Sequence, residues 1–104
     1  GSSARQHVFY DLGSGVGRMV LQVHLDCPEV SRSVGVELSL ERHEEALELR
    51  RRVLGGRETE REGHSCELVQ GDILREDFSD ATIVWLANSF MQEAFLRQLC
   101  DRLG

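Results

Sequence analysis

The sequence predicts an α/β fold in which a parallel sheet of strand order 3-2-1-4 carries helices on both faces. Two observations in the chain predict it. Short β-branched or aromatic runs alternate with stretches of helical spacing, the pattern of right-handed crossovers between parallel strands. Each of the first three runs also ends at glycine or an acid, where ligands of open parallel sheets bind. A third observation sets the scale: 104 residues, 40% hydrophobic and 29% charged, describe one ordinary globular domain.

The first strand is His7 to Leu12, a run of valine and aromatics that stops at glycines. Val16, Met19, Val20 and Val23 then recur at helical spacing. The resulting helix is predicted over Val16 to Asp26, before Pro28. A second strand is read at Ser33 to Leu38. Ser39 follows as an N-cap, with Glu41 in the first turn of a second helix that Gly55-Gly56 ends. Residues 55–65 read as a solvated, mobile loop, and residues 1–6 as a tag remnant or disordered lead. A third strand begins at Cys66 and breaks at Gly71-Asp72, and a fourth covers Ala81 to Ala87. From Met91 to Leu103 the apolar positions return to helical spacing.

Composition narrows the functions available. The net charge is −6, and all 12 basic residues are arginine. Nucleic-acid binding by this segment is not expected, because such binding rests on clustered cations that release counterions. Arg50-Arg51-Arg52 reads as a helix surface paired with Glu48. The three cysteines are odd in number and never spaced C-x-x-C, which argues against a disulfide framework or structural zinc and for a reduced intracellular compartment, nuclear or cytoplasmic. No metal site is expected from the four histidines, and no run is long and apolar enough to span a membrane.

The chemistry centres on Asp11-Leu12-Gly13-Ser14-Gly15-Val16-Gly17. Glycines there let the backbone turn sharply and approach a ligand, in front of the free N–H groups of a helix. A triphosphate loop of the form G-x-x-x-x-G-K is excluded by the lack of lysine. The dinucleotide fingerprint requires glycine where Arg18 stands. What remains is an acid two residues before the first glycine, as in the first motif of class I methyltransferases. Glu37 at the end of strand two is placed to accept ribose hydroxyls. Asp72 at the end of strand three is placed for an adenine amino group, and Ile73 for the ring. Each acid alone also fits a solvated turn; together, at three consecutive strand ends, they point to S-adenosylmethionine.

Phe9 to Gly17, Gly35-Val36-Glu37, Gly71-Asp72-Ile73 and Ala87-Asn88-Ser89-Phe90 together resemble the seven-strand histone-lysine methyltransferases of the disruptor-of-telomeric-silencing kind, over about residues 8 to 103. The resemblance implies a Rossmann-like fold, S-adenosylmethionine as methyl donor and a protein lysine, histone-type, as acceptor. It assigns Asp11, Gly13 and Gly15 to the methionine part, Glu37 to the ribose, Asp72 and Ile73 to the adenine, and Asn88 to the methyl-transfer channel. This sequence departs from the family at Asn88-Ser89, where two asparagines are common, at Ile73, where an aromatic is usual, and at Arg18. Such a domain normally has seven strands, so the chain reads as a truncated core, a fragment or a chain completed by a partner. Its apolar fourth strand is expected to favour self-association. A non-catalytic binding or regulatory module of the same fold is the alternative reading.

Overall fold

In the computed structural model the described residues are 6–55 and 63–86. They form β1 (His7–Leu12), α1 (Arg18–Asp26), β2 (Val30–Glu37), α2 (Leu40–Leu54), β3 (Ser65–Gln70) and β4 (Ile83–Leu86). All neighbouring strands pair in parallel, in the order β3-β2-β1-β4. The expected lead at residues 1–5, most of the loop at 56–62, and residues 87–104 with Asn88 and the final helix lie outside the described residues.

Alternation along the strands separates two faces. Phe9 on β1 packs with Met19, Val23 and Cys27 from the α1 side and with Ile83 and Trp85 on β4. Further along the same face, Val20 and Leu21 of α1 meet Leu54 of α2 and Cys66 of β3. Both described helices therefore cover one face, as consecutive right-handed crossovers require. The opposite face holds Tyr10, Leu12, Val34 and Val36, and the segment after β3 covers part of it with Ile73, Phe78 and Ala81.

Gly35 shows why the helical face is tight. A Cβ there would lie 2.7 Å from Val20 Cγ2 and 2.8 Å from Ser14 Cβ, so β2 and the turn after β1 approach only because this position lacks a side chain. Beside it Ser33 is fully buried and donates to the Val20 carbonyl at 2.7 Å, which satisfies its hydroxyl inside the core.

A polar network ties the opposite face. Arg32 forms a two-pronged contact with Glu67 at 2.8 and 3.0 Å and also pairs with Asp80, which accepts from the Tyr10 hydroxyl at 2.9 Å. On α2, Arg51 and Arg52 pair with Glu48 as their spacing predicts. Arg50 instead donates to the Cys66 carbonyl at 3.0 Å, fastening α2 to β3. Cys66 is a buried thiol, but Cys27 is disulfide-bonded, which corrects the expectation that the cysteines are all reduced. An odd count argues against a framework but leaves room for one bond.

Candidate functional site

The carboxyl ends of β1, β2 and β3 are drawn together by the backbone. Asp11 pairs across the sheet with Gly35 on one side and Trp85 on the other, and Glu37 pairs with Gln70. After Leu12 the chain turns back over β2, and the N–H groups of Gly13 and Ser14 both donate to the Val36 carbonyl, at 2.7 and 3.0 Å. Gly13 and Gly15 have φ of 87° and 59°, in the left-handed region, and neither would bring a Cβ within 4 Å of any atom beyond its chain neighbours. Backbone conformation selects glycine here, and open space lies beside the turn. Gly17, with φ of 83°, then serves as the N-cap of α1 without a side-chain cap. The left-handed residue delays the helix to Arg18, two residues later than the apolar spacing predicts.

Glu37 locks this turn to β2. Its Oε1 accepts from the Gly15 N–H at 2.7 Å and its Oε2 accepts from the Ser39 N–H at 2.9 Å. A carboxylate oxygen accepts more than one hydrogen bond, so both retain capacity toward ligand hydroxyls. Ser39 in turn caps α2 by accepting from the Arg42 N–H at 3.3 Å. The Ser39 N–H bond to Glu37 is not among the sequence expectations, although an acid two residues before an N-cap is a usable signal.

Asp11 differs in kind. It is fully buried, and neither carboxylate oxygen has a hydrogen-bond partner. Burial, reinforced by the nearby charge of Glu37, pushes its carboxyl up to about 7. An orphaned acid beside an open glycine turn suits a ligand with a positively charged end, as the methionine part of S-adenosylmethionine has, since an unpartnered buried carboxylate is otherwise costly.

The third acid is tied in through the main chain. The Gly71 N–H donates to the Glu37 carbonyl at 2.9 Å, and the Gln70 side chain donates to the Leu38 carbonyl at 2.8 Å. Asp72 Oδ1 accepts from the Leu74 N–H at 2.9 Å, shaping a tight turn in which the residue is half-buried. Ile73 is half-buried and packs against the Tyr10, Leu12, Val34 and Val36 face. The structure thus brings Asp11, Gly13, Gly15 and Glu37 into one cradle and links Gly71-Asp72-Ile73 to its edge. Asn88 lies outside the described residues. Among those residues, no group of His, Cys, Asp and Glu is arranged to hold a metal ion.

A parallel α/β sheet with a glycine turn between two strand-end acids defines a nucleotide-type cofactor domain. Comparison with known families sharpens this. The family model of the histone methylation protein DOT1 matches residues 3–103, and the chain belongs to that family. Among solved structures, it is similar to an RNA methyltransferase from Salinibacter ruber in complex with S-adenosyl-L-homocysteine. The TM-score is 0.59 and the identity 27%, covering 93% of this chain. The chain spans 57% of the length of that structure's chain. No curated protein matches the sequence.

Proposed function

We infer that this chain is the S-adenosylmethionine-binding core of a methyltransferase whose acceptor is a protein lysine of histone type, acting inside the cell. The observation that carries the reading is the buried, unpartnered Asp11 beside the open Gly13–Gly15 turn, closed on its other side by Glu37. Membership of the DOT1 family supports both the donor and the class of acceptor. The product-bound state of the Salinibacter enzyme supports the same cofactor.

In this reading Asp11 faces the cationic methionine end, the Gly13–Gly15 backbone lies along it, Glu37 takes the ribose hydroxyls, and Asp72 and Ile73 take the adenine. S-adenosylmethionine supplies an electrophilic methyl group on a sulfonium. The protein's part is alignment: a donor held at three strand ends presents one face to a neutral acceptor nitrogen, whose lone pair displaces the thioether in line. Asn88, two residues past the end of β4, is assigned to the channel where that nitrogen enters.

Calorimetric titration with S-adenosylmethionine tests the cofactor half. Binding is expected, and Glu37→Ala and Asp72→Ala are each expected to weaken it about tenfold or more, since each removes a charge-assisted hydrogen bond. Absence of binding, or affinity indifferent to both substitutions, would return the chain to the non-catalytic alternative. The acceptor half is tested by assaying the protein for methylation of histones and of RNA. Transfer to RNA alone would overturn the lysine assignment.

A further inference from the structure

The hydrogen bonds around the glycine turn are distributed unevenly between its two acids. The N–H groups of Gly15 and Ser39 go to Glu37, and those of Gly13 and Ser14 go to the Val36 carbonyl. Asp11, fully buried on the adjoining strand, receives none of them. Two carboxylates thus share one end of the sheet, and the donors that would stabilise a charge all serve the other acid or the main chain.

Among the described residues the surroundings offer no compensation. From β2 the charged group facing Asp11 is Glu37, whose field opposes ionisation. Residues 83–86 of β4 and 13–17 of the turn carry no titratable side chain. On α1, Arg18 is exposed at the first turn, and His24 and Asp26 sit at the far end of the helix. A buried carboxyl with a like charge beside it and no donor at either oxygen keeps its proton until a cation arrives.

We propose that the ligand-free site holds Asp11 as a neutral acid and that binding the cationic methionine end of S-adenosylmethionine expels this proton, so that cofactor capture is linked to pH. Starting from the protonated acid, the step leaves a carboxylate paired with the ligand's positive charge and delivers its proton to solvent; a site already ionised releases none. It rests on the cofactor reading above and adds a proton to it. Because Asp11 is pushed up to about 7 in the ligand-free site, cofactor binding at pH 7 releases about half a proton per site. Affinity is about fivefold tighter at pH 7 than at pH 6.

Two measurements on the intact chain test this. In calorimetric titrations at pH 7, the enthalpy of binding should differ between phosphate and Tris by the ionisation heat of about half a proton. Asp11→Asn should abolish that difference and flatten the pH dependence. Binding with an enthalpy independent of buffer overturns the proposal while leaving the cofactor assignment intact; absence of binding overturns both. Carbon-detected NMR titration of the Asp11 carboxyl in the ligand-free chain stands apart from any variant's folding. A midpoint near 7 is expected, and a midpoint in the ordinary carboxylate range overturns the proposal even where S-adenosylmethionine binds.

Discussion

Asp11 and Glu67 respond to pH in opposite senses, because one is buried without donors and the other is held by a guanidinium. The carboxyl of Asp11 is pushed up to about 7, so the folded chain binds its proton more tightly than the unfolded chain does. Stability is lost as pH rises from the ordinary aspartate range toward 7, by roughly 2 to 4 kcal/mol over that window. Glu67 is lowered, first by its hydrogen bonds from Arg32, and its contribution is lost as pH falls. That contribution is small, since the pair is partly exposed. Urea denaturation of the ligand-free protein at pH 5 and pH 7.5 is therefore expected to give the lower midpoint at 7.5. Asp11→Asn is expected to be more stable than the parent at 7.5, with the gap shrinking at pH 5. At Gly35 the effect is steric. A methyl group meets Val20 and Ser14 inside 3 Å, so Gly35→Ala is expected to cost about 1 to 3 kcal/mol in denaturant. The same substitution displaces the Ser14 turn, so S-adenosylmethionine binding should weaken alongside stability.

Among the elements, α2 separates stability from binding. Ser39 uses its side chain to cap the helix and its backbone N–H to hold Glu37, and only the first is lost in Ser39→Ala. That substitution is expected to lower stability by about 0.5 to 1 kcal/mol, read from thermal melts, while cofactor affinity stays within about twofold. A larger loss of affinity would mean that α2 itself positions Glu37. The elements also show what a sequence makes legible. β1 and α2 fall where their patterns place them, because an apolar run and a Ser cap with a Gly stop are local signals. β2 begins at Val30 rather than Ser33, since Val30 and Arg32 pair with His7 and Val8 across an irregularity that skips Ser31, and Arg32 is stabilised by Glu67, 35 residues away. β4 begins at Ile83 rather than Ala81, because the Thr82 hydroxyl accepts from the Val8 N–H at 2.9 Å in place of a strand neighbour. At the site, Asp11, Gly13, Gly15 and Glu37 were legible because strand-end acids and glycines carry fixed spacing. The unequal sharing of N–H donors was not, since it depends on how the turn folds over β2.

On the scale of the whole molecule, the two faces of the sheet are treated unequally. Both described helices cover the Phe9 face, whereas Val84 and Leu86 of β4, on the Tyr10 face, remain 47% and 61% exposed. The segment of residues 71–82 reaches only part of that face. Its Leu74 points outward with 89% exposure, while Phe78 leans on Tyr10 with ring centroids 6.1 Å apart. A net charge of −6 opposes association through long-range repulsion, but repulsion between exposed charges fades beyond about a Debye length of 8 Å at physiological salt. Contact between apolar strands is not screened in this way. Sedimentation velocity is therefore expected to show a mean mass that rises with concentration, and more steeply as salt is added. Replacing Val84 and Leu86 together by threonine keeps strand propensity while removing apolar surface. This double variant should return the protein toward the 11.8 kDa monomer at all salt concentrations. A parent that stays monomeric at high salt would show that the exposed strand face does not drive association. A parent that associates equally with and without the two threonines would place the contact elsewhere on the surface.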